Sequence, residues 1–399
     1  MAPPFAGGEE DEEARWCGLS TDMMEMILKH LPIADHISVS IACKSWRLAT
    51  SDIILPALRA PWLLGSPMAS TSLSWGFYTS SNGGQSLGLE IPTEFQRQWC
   101  CGSSKGWLMH LREPRNHSQY YEAHLLNPIT GATVELPPFP PTVIKGVIST
   151  SPFATDFMLA ALCFESTNFD KYVIVYQPRH PRRKKILIDN AMDIMFHHGR
   201  LYILTDLAEL LVGVFDPRWK VSFKSIPTLF EEEGRHPDTY WGKLVESNDG
   251  VFVVYCTITT GAERQQLKVF KIKEWGRHHR IVEVKSLGDR TFFVGPFSDG
   301  VSISKMKSSS KLNIIKPDHI YYITGSEYSL WAHCMQKRHT FRVEEFKMTG
   351  NILEWFIPKL EDRSNLMVVT PTHSTSLLLT IIIVMLAVIG QCLLGWLSI

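Results

Sequence analysis

The sequence has no excess of charge of either sign: 40 Lys plus Arg stand against 40 Asp plus Glu. Without a global field, attraction to nucleic acid or to an anionic surface is not expected, and any partner must be recognised locally. C-x-x-C pairs are absent as well. The eight cysteines (Cys17, Cys43, Cys100, Cys101, Cys163, Cys256, Cys334, Cys392) are scattered, mostly in apolar runs such as Ala161-Leu162-Cys163-Phe164. Such usage suits reduced thiols serving as small hydrophobes, not a disulfide frame. The start is acidic (Glu9, Glu10, Asp11, Glu12, Glu13) and shows no basic stretch leading into an apolar core, so no signal peptide is expected. The patterns G-x-G-x-x-G and G-x-x-x-x-G-K-[ST] are missing, which removes the common phosphate-binding signals. His197-His198 and His278-His279 lack a His-Glu-x-x-His frame or a nearby Cys pair and read as turn residues. No catalytic residue, metal ligand or cofactor is expected.

Charge also disappears after Arg363, and Leu377 to Ile399 reads LLLTIIIVMLAVIGQCLLGWLSI. As a helix this run would reach roughly 35 Å, enough for a hydrocarbon slab of about 30 Å. The expectation is a C-terminal transmembrane helix over 377–399, anchored by Leu377, Ile382, Leu386, Ile389 and Leu394, that leaves the folded part facing the cytosol. Lys359 and Arg363 just before it fit that orientation.

What is present near the start is a helical pattern. Met24, Ile27, Leu28 and Leu31 recur at i, i+3, i+4 and i+7, Asp22 and Glu25 resemble a capping box, and Pro32 stops the segment. A second start at Asp35 carries Ile37 and Ile41, and a third piece holds Trp46 and Leu48. Three helices this short cannot hold themselves together by core burial and must dock on something. The ordered set Leu19, Asp22, Ile27-Leu28, Leu31-Pro32, Asp35 and Cys43-Lys44-Ser45-Trp46-Arg47 resembles the F-box, with Ser20 where that family usually has Pro. The resemblance implies a face that binds the Skp-type linker subunit and, through it, a cullin-RING ubiquitin ligase. By position it assigns the contact or its support to Leu19, Ile27, Leu28, Leu31, Pro32 and Trp46.

From about residue 56 the pattern changes to short apolar runs broken by Gly, Pro, Asn and Asp. Examples are Gly106–Leu111, Tyr172–Tyr176, Arg200–Leu204, Val251–Tyr255, Leu267–Ile272 and His319–Ile323. Rich in β-branched and aromatic residues, they predict successive antiparallel strands. A faint repeat pairs Leu126-Asn127-Pro128-Ile129-Thr130-Gly131, ending at Leu136-Pro137, with Phe215-Asp216-Pro217, ending at Ile226-Pro227. Each reads as strand, Asn/Asp-opened turn, return strand and a stop at Pro. At 40 to 50 residues per unit the stretch allows six or seven blades of a β-propeller, with a pair of β-sandwiches as the other arrangement of the same periodicity. The basic run Arg179 to Lys185 reads as the solvated tip of a hairpin, and alternatively as a nuclear-import or acidic-partner signal.

Lys105-Gly106-Trp107-Leu108, the Leu-Asn-Pro-Ile-Thr-Gly turn, Val269-Phe270-Lys271 and Ser286-Leu287-Gly288-Asp289-Arg290 with Phe292-Phe293-Val294-Gly295 resemble a large plant family of kelch-like F-box adaptors carrying domain of unknown function 295. The expected organisation is an acidic leader (1–15), an F-box (16–55), a propeller-like substrate domain (56–365), a linker (366–376) and the membrane tail (377–399). The implied role is a non-catalytic substrate adaptor of an SCF-type ligase, with a protein substrate held by the β domain. The alternative is a membrane-tethered propeller scaffold acting outside a ligase. A third class, a propeller enzyme, would require acidic or His residues converging on one mouth of the propeller.

Overall fold

The computed structural model describes residues 20–28, 39, 46, 61–67, 76–79, 86–95, 98–114, 118–207, 209–216, 218–226, 239–258, 265–275, 278–304, 315–324, 329–343 and 350–359. The chain divides into two compact units. One comprises residues 1–59, 87–89 and 366–399, the other residues 60–86 and 90–365.

In the first unit, α1 (Thr21–Leu28) is the one described helix. Its cap lies two residues before the expected Asp22: the Ser20 carbonyl accepts the Met24 N–H at 3.0 Å, and the Ser20 hydroxyl faces the Met23 N–H at 3.4 Å. Asp22 in the first turn complements the positive end of the helix. Of the other two expected helices only Val39 and Trp46 are described, both helical.

The expected membrane anchor is corrected. Among the described residues no helix is long and apolar enough to cross a membrane, and α1, with eight residues, reaches only about 12 Å. Leu377, Ile382, Leu386, Ile389 and Leu394 lie outside the described residues, so nothing supports a single-pass tail or the orientation read from it. Hydropathy had carried that expectation, and an apolar run is not by itself a helix.

The second unit is all β. Its first sheet combines β1 (Trp62–Pro67), β2 (Gly76–Thr79) and, paired through Ser86 and Glu90, β3 (Ser86–Glu90) with the last strand, β25 (Gly350–Phe356), in the order β25-β1-β2-β3. Three further sheets are meanders. The second sheet holds β4 (Trp99–Ser104), β5 (Trp107–Arg112), β6 (Tyr121–Leu126) and β7 (Thr133–Phe139). The third holds β8 (Val143–Ile148), β9 (Leu159–Phe164), β10 (Lys171–Gln177) and β11 (His180–Leu187). The fourth holds β12 (Ala191–His197), β13 (Arg200–Thr205), β14 (Leu210–Phe215) and β15 (Val221–Ile226). A nine-stranded sheet joins two further groups. The fifth group is β16 (Thr239–Ser247), β17 (Gly250–Ile258), β18 (Gln265–Trp275) and β19 (His278–Val284). The sixth is β20 (Arg290–Val294), β21 (Gly300–Ser304), β22 (His319–Thr324), β23 (Ser329–Cys334) and β24 (His339–Arg342). Two parallel pairs, Val245 with Gly300 and Glu246 with Val301, make the junction.

The groups follow one another around a ring: β25 meets β4, β4 meets β8, β8 meets β12, β12 meets β16, β16 meets β21, and β22 returns to β25. From the third group on, each packs face to face on the next. Val147, Ala160 and Val173 meet Ile194, Phe196 and Leu201, and Met195, Tyr202 and Leu204 meet Val251, Val253 and Tyr255. Phe252 and Val254 then meet Phe292, Ile320 and Tyr322, and Phe293, Tyr321 and Ile323 meet Leu63 and Trp355. Central strands are buried on both faces, which is why β13 and β17 read as nearly continuous apolar runs. Outer strands alternate; β15 buries little besides Ile226.

The internal repeat has a physical basis. Asn127 Oδ1 accepts from the Ile129 and Thr130 N–H groups at 3.0 and 3.1 Å, and Gly131 takes a positive φ. Asp216 Oδ1 accepts from the Arg218 and Lys220 N–H groups at 2.9 and 2.7 Å. Both are Asx turns joining the third and fourth strands of a group. Pro137 is not the expected stop: β7 runs through it, as an outermost strand can, because proline there removes no ladder bond.

Candidate functional site

The residues assigned by position to the linker subunit separate on α1. Ile27 and Leu28 are buried, in line with Met24. Met23 and Met26 are 51% and 42% exposed. Trp46 is half-buried, and Leu19, Leu31 and Pro32 lie outside the described residues. The apolar stripe legible in the sequence is thus the inward face. Its counterpart, two methionines three apart on the outer face, was readable from the same spacing but was not singled out.

In the β unit the innermost strands converge on a buried polar centre. Lys145 on β8 donates to Asp193 Oδ1 on β12 at 2.7 Å and lies 4.0 Å from Asp299 Oδ1, just before β21. Lys243 on β16 stands 3.7 Å from Asp193 and donates to the Pro296 carbonyl at 2.7 Å. Asp193 Oδ2 accepts the Leu244 N–H at 2.8 Å, and Ser104 on β4 donates to Asp299 Oδ2 at 2.6 Å. Glu354 on β25 accepts from the Phe297 and Trp355 N–H groups. Burial pushes the Asp299 and Glu354 carboxyls up, against the nearby lysines and the hydrogen bonds they accept. It pushes the Lys243 ammonium down, against the attraction of Asp193.

A repeated device aims these side chains. β4, β8, β12 and β16 each carry a register shift against the next strand, at Cys100/Gly102, Val143/Lys145, Ala191/Asp193 and Thr239/Trp241. A bulge inserts an unpaired residue and bends the strand beyond it, re-aiming the side chains there. Nearby, Lys105 and His197 both pair with Glu246, the His197 Nδ1 at 3.1 Å. Burial raises the Glu246 carboxyl, but these two partners outweigh it and hold it at about 2. His197 therefore ends a strand and joins a charged contact, beyond the turn role expected of it. The side chains of His278 and His279 lie outside the described ones.

The Ser286-Leu287-Gly288-Asp289-Arg290 motif is a clasp. Asp318 Oδ1 accepts from the Ser286 hydroxyl at 3.0 Å and the Leu287 N–H at 2.6 Å, and Gly288 takes a positive φ. Arg290 donates to both oxygens of Asp249 at 2.8 and 2.9 Å, Lys271 reaches Asp249 at 2.5 Å, and both cations lie over the Phe252 ring. Burial raises the Asp249 carboxyl, and the bonds from Lys271 and Ser247 with the Arg290 charge bring it down to about 2. The motif lines a cleft of about 450 Å³.

The basic run is not confined to a hairpin tip. The turn is at Gln177–His180, and Arg182 to Lys185 continue along β11, the outer edge of its sheet.

Among the described cysteines Cys101, Cys163, Cys256 and Cys334 are buried and none is bridged. Burial pushes the Cys163 and Cys256 thiols up to about 12, so they are poor nucleophiles.

A short helical F-box segment followed by a closed ring of strand groups defines an F-box protein with a propeller-like domain. The chain belongs to the KIB1-4 beta-propeller family, which it matches over residues 77–347, and it matches the F-box domain over residues 16–56. These matches do not confirm the designation "domain of unknown function 295" read from the motifs. An F-box protein of Arabidopsis thaliana is 22% identical over 77% of this chain and 80% of its own length. An F-box/kelch-repeat protein of the same plant is 28% identical over 32% of this chain, which spans about a third, 34%, of that relative. The β-propeller domain of the Trilobed protease from Pyrococcus furiosus overlaps with a TM-score of 0.33 at 10% identity, over 63% of this chain and 71% of that one.

Proposed function

We propose that this chain is a substrate-recruiting adaptor of an SCF-type ubiquitin ligase. The helical segment around α1 engages a Skp-type linker subunit, and the propeller-like domain holds a protein substrate. The observation that carries this reading is the ordered F-box motif joined to a separate closed β domain in one chain. In it Met23 and Met26 offer the outward apolar contact together with Leu31 and Pro32, while Ile27 and Leu28 support the helix from within. Catalysis is by proximity: a tethered substrate meets the ligase-borne ubiquitin donor at high effective concentration, and the adaptor needs no tuned side chain of its own.

An enzyme reading receives some support from the charged groups that do converge on the ring centre. Lys145, Asp193 and Glu354 are, however, at most 1% exposed and are held by one another or by backbone N–H groups. That geometry fits structural pairing better than substrate contact. Co-expression of the full chain with a Skp-type linker tests the proposal. Wild type should co-purify with it, and Leu31→Asp with Pro32→Asp should abolish capture. A wild type that captures no linker subunit refutes the adaptor.

A further inference from the structure

Edge strands often carry Lys and Arg merely to block unwanted strand pairing. The sequence from Arg179 to Lys185 has five basic residues and no acidic one, which fits that ordinary use. The structure adds a specific seat. Along the second half of β11, Arg183, Lys185 and Leu187 alternate outward while Lys184 and Ile186 are half-buried, so two cations two residues apart share one face. That face borders a groove of about 480 Å³ between the second and third strand groups, where Tyr120, Pro141, Phe164, Tyr172, Arg183 and Lys185 form the wall.

Both cations are mounted on aromatic rings. The Arg183 guanidinium sits 5.8 Å from the Tyr120 centroid and 5.5 Å from that of Phe139, and it donates to the Pro138 carbonyl. The Lys185 ammonium sits 4.0 Å from the Tyr172 centroid and pairs with Glu165, the one acidic side chain in the groove lining. Ring faces hold a cation in place without cancelling its charge. Arg183 is left exposed with no carboxylate among its described contacts. Phe164 stacks on Phe169, whose ring is 71% exposed, so apolar surface continues beside the charge.

We propose that this groove binds an acidic, extended segment of the protein substrate, its carboxylates meeting Arg183 and Lys185 and its apolar groups lying on Tyr120, Tyr172 and Phe164. The proposal rests on the adaptor reading in placing substrate on the β domain, and it names the chemistry of that substrate. The Arg183 guanidinium gives Nη1 to the Pro138 carbonyl, and its Nε and Nη2 N–H groups remain to meet a carboxylate in the bidentate manner. Such contacts at an exposed groove weaken with salt.

The test uses the purified full chain and a fluorescein-labelled peptide of alternating glutamate and leucine, read by fluorescence anisotropy. Saturable binding is expected, weakened at least fivefold between 50 and 200 mM salt and at least tenfold in Arg183→Glu with Lys185→Glu. The control reverses two exposed cations elsewhere, Arg218→Glu with Lys220→Glu, and should change binding less than twofold; circular dichroism confirms that both variants are folded. Equal losses in the two variants, or no binding by wild type, overturn the proposal. So does tighter binding of a single-stranded oligonucleotide that displaces the peptide, which would make the groove a nucleic-acid site. Linker capture by wild type is measured on the same preparation. Capture without peptide binding sinks this inference alone, and peptide binding without capture sinks the adaptor alone.

Discussion

Replacing Lys145 with methionine removes the one ammonium that, among the described residues, reaches both Asp193 and Asp299 in the ring centre. The lysine is 1% exposed and Asp193 is 0% exposed, so water cannot take its place. Breaking a buried pair from one side costs about 3–5 kcal/mol, because the carboxylates stay buried without their main partner, and Lys243 at 3.7 Å from Asp193 offsets only part of that loss. At about 2 °C per kcal/mol for a domain of this size, the melting temperature should fall by roughly 6–10 °C at pH 7. Thermal unfolding of the full chain followed by tryptophan fluorescence measures it. The deficit should narrow toward pH 5. Lys145 is the main charge opposing the burial that raises Asp299, and without it the folded state binds protons more readily than the unfolded state, which makes folding more favourable as pH falls. Adding Asp193→Asn keeps an acceptor for the Leu244 N–H and removes one charge of each sign, so the double variant should recover at least half of the loss. A single variant that melts within 2 °C of wild type, or a double variant no better than the single, refutes the reasoning.

Three further outcomes are expected. Neither ring nitrogen of His110 has a hydrogen-bond partner among the described residues, and burial, with His124 nearby, pushes it down to about 3. Its contribution is present above its unfolded value near 6.5 and is lost as pH falls toward 3, so His110→Phe should reduce the drop in melting temperature between pH 7 and pH 4.5; an unchanged drop counts against it. Gly102→Ala would drive a Cβ into the Gly146 backbone carbonyl, whereas Gly146→Ala would meet only the flexible end of Met109. The first should therefore cost at least about 1–3 kcal/mol in urea unfolding and the second clearly less, and the reverse order would contradict the close approach of β4 and β8. Met23→Asp with Met26→Asp should abolish linker capture while leaving the fold intact by circular dichroism, and full capture by this variant would place the contact elsewhere on the F-box.

The β unit was legible because it repeats. The six apolar runs from Gly106–Leu111 to His319–Ile323 all fall on strands, since period and turn chemistry are local properties that Asn127 and Asp216 enforce through their own neighbours. The polar centre was not legible. Its members come one from each strand group, so no spacing links them. A charge in phase with buried residues is the signal that was available: Lys145 with Val147, and Asp193 with Met195. Reading it would have required knowing that a bulge before each charge resets the alternation, and bulges leave no mark in a hydropathy pattern. The helix α1 was read on its inward stripe for the opposite reason, because apolar periodicity reports burial and a docking face must stay exposed. The tail misled because hydropathy alone was asked to specify a helix.

Closing the ring is the costly step of this architecture, and its geometry explains why the centre is charged. β25 must return across nearly the whole domain to pair with β1, from Trp62 with Phe356 to Pro67 with Gly350. On the (3/2)RT ln n scaling that closure costs about 5 kcal/mol. Strand pairing, the Trp62, Phe77 and Phe356 rings at 5.0 to 5.8 Å, and the burial of Leu63 and Trp355 offset it. Buried ions add little net stability over apolar residues of the same size. What they add here is discrimination. Lys145 reaches Asp193 and Asp299, and Glu354 reaches the Phe297 N–H, only when neighbouring inner strands stand in the correct order and register. A ring closed one strand out of register would bury those charges unpaired at several kcal/mol each, whereas an apolar centre would tolerate the slip. Under the proposed role, a domain whose outer groove must keep one shape to hold a substrate gains from a centre that penalises every other closure.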